Sequence, residues 1–101
     1  MMENIQNVID SAISVIDDMT ELFYQQKKNE ALAKMNDVLD NILKVNDTIA
    51  QINDISDEDR QRLAVILGEA VKAMESKDYV LLADILKYDM IDILNEYKQS
   101  L

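Results

Sequence analysis

Apolar residues recur along most of this chain at alternating intervals of four and three, the period of a helix that buries one face. Ile5, Ile9, Ala12, Ile16, Met19 and Phe23 form the first such stripe, and Val8, Val15 and Leu22 widen it at intervals of seven. The spacing predicts a helix over about residues 3–25, broader in its apolar face than a two-stranded coiled-coil seam. Ala31, Met35, Val38, Ile42, Val45, Ile49 and Ile52 form a second stripe, flanked by Leu32, Leu39 and Leu43. Continuing the first register would put Gln26 and Glu30 in the seam. The slip predicts a turn in Gln25-Gln26-Lys27-Lys28-Asn29, with Asn29 as cap of a helix over about 30–52; one uninterrupted helix from Glu3 to Ile52 is the competing reading.

The pattern breaks again at Asn53-Asp54-Ile55-Ser56. Ser56 followed by Asp57, Glu58 and Asp59 reads as an N-cap with acids in the first turn, where the helix dipole favours negative charge. A third helix, about 57–75, carries Leu63, Ile66, Leu67, Ala70, Val71 and Met74. Its Gly68 lies near the polar side, as a weak point or a place where another helix approaches. Ser76-Lys77-Asp78 is the last turn, and Ser76 or Asp78 caps a fourth helix, about 79–99. These elements predict one all-α domain, an antiparallel up-down-up-down four-helix bundle. At an offset of 51, Ala31, Met35, Leu39 and Ile42 fall on Leu82, Leu86, Met90 and Ile93, an agreement that shared heptads alone would produce.

The fourth helix is more apolar than one packed face requires. Leu82, Ala83, Leu86, Met90, Ile93, Leu94 and Tyr97 share a broad side, while Leu81, Ile85, Tyr88 and Ile91 lie off it among Asp84, Lys87, Asp92 and Asn95. A second apolar strip calls for a cover: a neighbouring helix, another copy of the chain, or a partner. Tyr88, amphipathic and fairly rigid, suits an interface. Leu81, Asp84, Ile85, Tyr88 and Ile91 are therefore the candidate partner-binding residues.

Composition supports the helical reading and narrows the chemistry. The chain has 101 residues, one glycine and no proline, which leaves little material for the turns of a sheet fold. Twenty acidic residues against ten basic ones give a net charge of -10, which disfavours phosphate backbones and anionic membranes. Lys27, Lys28 and Lys34, or Arg60 and Arg62, make no continuous phosphate-binding stripe. No basic and apolar leader opens the chain, no run approaches the ~18–20 apolar residues of a membrane span, and a cytoplasmic location is expected.

Cysteine and histidine are both absent, which removes thiolate chemistry, imidazole ligation and His-based nucleophile triads. Asp54, Asp57, Glu58 and Asp59 are the densest oxygen-ligand cluster, but they lack the order and central glycine of a calcium loop, and helix capping explains them. Asp17 with Asp18, Asp37 with Asp40, and Asp89 with Asp92 read as solvated faces, with Asp89 nearest a boundary position. No enzymatic role, cofactor or metal is expected. Phe23 and Tyr97 are expected to pack at the ends of the bundle.

Ala73-Met74-Glu75-Ser76-Lys77-Asp78-Tyr79-Val80-Leu81-Leu82, an Asp and an aromatic leading into a Leu-rich helix, resembles the corresponding turn in flagellar export chaperones of the FliT type. The resemblance covers about 35 residues. It implies a cofactor-free protein whose fourth-helix strip faces an export client. The chain is also similar to short acidic helical proteins of low-GC Gram-positive bacteria. The expected function is a non-catalytic adaptor or small chaperone, with a structural homodimer as the alternative and a carboxylate metal-binding protein as a remote third reading.

Overall fold

The computed structural model describes residues 4–51 and 56–100, which are all-α: no strand occurs among them. Helix α1 spans Ile5–Tyr24, and the Asn4 side chain caps it by accepting the Gln6 amide at 2.8 Å. It ends in a Schellman motif. The Lys27 amide donates to the Leu22 carbonyl, the Gln26 amide donates to Phe23, and Gln26 takes the left-handed conformation at φ 64°. This reversal excludes a single helix through residue 52. It also makes Lys27, not Asn29, the residue before the next helix.

That next stretch is two helices, α2 (Lys28–Ala33) and α3 (Met35–Ala50), parted at Lys34. The Lys34 amide bonds to Ala31, three residues back, tightening the turn there. Ala31-Leu32-Ala33-Lys34-Met35 contains no helix breaker, so local propensity does not account for the interruption.

Helix α4 spans Asp57–Glu75, and Ser56 Oγ accepts the Asp59 amide at 3.1 Å, as the sequence predicts. Gly68 is exposed, and a methyl group added there would meet nothing within 4 Å, so no close helix approach requires it. The end of α4 repeats the end of α1: the Asp78 amide donates to Ala73, Lys77 to Met74, and Lys77 lies at φ 59°. Asp78, not Ser76, then caps α5 (Tyr79–Asp84) by accepting the Leu81 amide at 3.2 Å.

The rest of the predicted fourth helix is not uniformly α-helical. A π-helical stretch, Ile85–Met90, leads into α6 (Ile91–Ser100), and the Ile91 amide bonds to Leu86, five residues back. Each π residue advances less around the axis than an α residue, so the stretch re-phases everything after it.

Comparison of the two halves accounts for it. Gln26 and Lys77 stand 51 residues apart, as do the starts of α2 and α5, and Lys34 corresponds to Ile85 at the same offset. Beyond that point the buried residues Val38, Ile42 and Val45 match Met90, Leu94 and Tyr97 at 52. The second half holds one residue more than the first at this place. The π stretch absorbs it without turning the apolar face away from the core.

Helix α1 is the centre of the packing. It lies against α2 and α3 on one side and against α5, the π stretch and α6 on the other, while α4 packs on α5 and the π stretch. Met35 and Leu39 of α3 meet Leu67, Val71 and Met74 of α4 around an apolar cavity of about 10 Å³, room for at most one water and no ligand. Thr20, the buried polar residue of α1, is satisfied by donating to the Asp17 carbonyl at 3.2 Å.

The two turns predict a stability gain. Gln26→Gly and Lys77→Gly each remove a left-handed penalty of about 1–2 kcal/mol, partly offset by glycine's larger chain entropy. A net gain near 1 kcal/mol is expected for each, raising Tm by roughly 4–8 °C in thermal melts, and the two gains should add.

The π stretch predicts a tolerated deletion. Removing Lys87 should turn the stretch into ordinary α-helix and keep a cooperative melt, whereas removing Ser14 from α1 should abolish it. Equal loss in both would show that the extra residue is not what the π turn absorbs.

Candidate protein-interaction surface

The strip expected on the last helix is narrower in the structure. Leu81 and Tyr88 are exposed, at 47% and 58%, and so is Val80 at 69%, a residue the helical wheel did not single out. Ile85 is only 7% exposed and belongs to the core, and Ile91 is half-buried against it. These two correct the sequence reading, which placed both on the outer side. An ideal wheel sets Ile85 farther from the buried centre than Asp89; the π stretch reverses them, turning Ile85 inward and leaving Asp89 exposed.

Asp84 is half-buried and committed to an internal contact. Its carboxylate accepts the Tyr24 hydroxyl at 2.6 Å, joining the end of α1 to α5 across 60 residues of sequence. Lys87 Nζ sits 5.8 Å from the centre of the Tyr24 ring, a cation–π distance. Beside this cluster Phe23 stacks on Tyr79 at 5.6 Å, with Lys28 Nζ 5.7 Å from the Tyr79 ring. Tyr24 is the functional neighbour that pattern reading missed. Its position beside Phe23 was visible, but its pairing with Asp84 had no local signal.

Phe23 packs at this end of the molecule. Tyr97 is buried near the start of α4, where its hydroxyl donates to the Asp59 carbonyl. At that end Arg62 pairs with Glu96 at 2.7 Å, and Lys98 pairs with Asp10 at 2.6 Å. Both pairs are exposed, so they set orientation more than stability.

A shallow groove of about 480 Å³ runs between α4 and the start of the last helix. Ala73, Leu81 and Ile85 form its apolar part, and Glu69, Asp78 and Asp89 its acidic part, with Lys72 the one basic residue lining it. Among the described residues no three acidic side chains come together in a way that could hold a metal ion. Asp57, Glu58 and Asp59 occupy the first turn of α4, and Asp54 lies outside the described residues. No described helix is long and apolar enough to cross a membrane.

The tyrosines at the two ends share one electrostatic property. Tyr24 is pushed up to about 12 by desolvation and by its hydrogen bond to the Asp84 carboxylate. Tyr97 is likewise pushed up to about 12, by burial and then by the charge of Asp59. Both therefore favour the neutral phenol when folded. Their contribution to stability is complete below about pH 10, the unfolded value, and is lost as pH rises toward 12. Urea unfolding should show stability falling across that window, with a shallower fall in Tyr24→Phe. An unchanged slope in the variant would remove the Asp84 contact as a cause.

Comparison with curated proteins and with solved structures finds no match for this chain. A family model does match, over residues 1–100, and its description is a domain of unknown function, DUF8042. The match spans nearly the whole sequence, both helical hairpins included, and the chain belongs to the DUF8042 family.

Proposed function

We propose that this protein is a non-catalytic cytoplasmic adaptor or small chaperone that binds a partner protein through the outer face of its last helix. Counting α2 with α3 as one rod, and α5 through α6 as another, the fold is an antiparallel up-down-up-down four-helix bundle. The observation that carries the reading is the exposure of Val80, Leu81 and Tyr88 on one stretch of α5 and the π segment. Three neighbouring apolar or amphipathic side chains on a strongly acidic protein are the composition of an interface centre, and the nearby aromatic contacts pre-order it.

The resemblance to flagellar export chaperones supports the same direction, with an export client as the partner. Chemistry supports it as well: without histidine or cysteine, imidazole and thiolate catalysis are both removed. The partner-binding set is Leu81 and Tyr88 at the surface, with Asp84 held in place by Tyr24. Ile85 and Ile91 support them from beneath.

The test is a tagged capture from native lysate with wild type and Tyr88→Glu, read by mass spectrometry and accompanied by thermal melts. Tyr88 is exposed, so the variant should melt as wild type does. The adaptor reading expects a stoichiometric partner reduced at least tenfold in the variant, the scale of an interface hot spot of about 2 kcal/mol. Recovery of only the protein's own untagged copies would replace it with the structural homodimer.

A further inference from the structure

We propose that the groove between α4 and the start of the last helix binds a cationic amphipathic helix, by seating its aliphatic side chains on Leu81 and Ala73 while Glu69 and Asp89 engage its lysines or arginines. This rests on the adaptor reading and names its partner's chemistry. It also moves part of the contact from the outer strip to the side facing α4.

The groove's shape and charge select the occupant. Its apolar floor is built by Ala73 and Ile85, both buried in the core face, and by the half-exposed Leu81. From Glu69 to Ser76 it follows about two turns of α4, roughly 10 Å at 1.5 Å per residue. That length matches two aliphatic side chains spaced three or four apart on a partner helix, the usual helix-in-groove arrangement.

Three carboxylates, Glu69, Asp78 and Asp89, line it against a single Lys72. Asp78 accepts the Leu81 amide as a helix cap, which leaves Glu69 and Asp89, both exposed, as the rim that meets a partner. A second copy of this chain would bring its own net charge of -10 to the same rim, and a nucleic acid or an anionic surface would be repelled too. A helix carrying positive charge around two aliphatic anchors is attracted by the rim and buried by the floor. Like-charge partners are excluded by the same residues.

The probe is a fluorescein-labelled synthetic helix of leucine and lysine in heptad spacing, titrated with the full chain and read by anisotropy. Controls are the same peptide with glutamate for lysine, and one with glutamine for leucine. Saturable one-to-one binding is expected for the first peptide alone, weakening with added salt. Glu69→Lys with Asp89→Lys should weaken it at least tenfold, and Leu81→Ser should weaken it as well. Asp17→Lys with Asp18→Lys, on the exposed face of α1, should reduce it less than threefold.

Absence of saturable binding would overturn the proposal. So would equal loss in the α1 variant, which would show diffuse attraction to an acidic surface. The two readings separate in the lysate capture. A partner lost with Tyr88→Glu but retained by the Glu69 and Asp89 variant leaves the adaptor standing and removes the groove assignment. Loss in neither removes both.

Discussion

Burial of α1 on both sides at once is the constraint on which the rest of this structure depends. Val8, Ile9, Ala12, Ile16 and Met19 are all within 2% of full burial, because α3 covers one flank of the stripe and the last helix covers the other. In a chain of this length, a single helix that touches two neighbours supplies much of the apolar area that opposes chain entropy. Helix α4 is held differently. It packs on α5 and the π stretch, and its first two turns are tied to the last helix by the Tyr97 hydrogen bond to Asp59 and by the Arg62–Glu96 ion pair. The core therefore runs from α3 through α1 to the last helix and α4, and α4 also meets α3, where Arg60 donates to the Ile49 carbonyl at 3.4 Å.

That arrangement determines which faces remain available. The last helix packs on both α1 and α4. Some apolar positions fall between those two contacts and emerge at the surface. Val80, Leu81 and Tyr88 are those positions. Their exposure follows from a helix serving two neighbours, and the acidic residues around them keep the strip from becoming a general aggregation site.

The apolar period places the turn around Gln26 and most of the core; the break expected at residues 53–55 lies outside the described residues. The Ser56 cap and the Asp78 start of α5 follow from local chemistry, and the turn around Gln26 follows from the slip in apolar register. The buried set of α1 was legible for the same reason. Two features were not. The interruption at Lys34 falls in a run of good helix formers, and the π stretch falls in Ile85-Leu86-Lys87-Tyr88-Asp89-Met90, which carries no glycine or proline to announce it. Both occur at the same place in their hairpins, and only the shift from an offset of 51 to one of 52 reveals the extra residue. At 100° per residue Ile85 falls farther from the buried side than Asp89, the reverse of what the structure shows. The Tyr24–Asp84 contact was hidden for the ordinary reason that tertiary pairs carry no local signal.

The same extra residue shapes the groove beside α4. On an ideal α-helical wheel Ile85 lies farther from the buried centre than Asp89, which sits at its boundary. The π stretch reverses that order: Ile85 is buried in the floor beneath α4, and Asp89 is exposed beside it. A local departure from α-helical geometry, frequent at functional sites, here sets an apolar floor beside an exposed carboxylate.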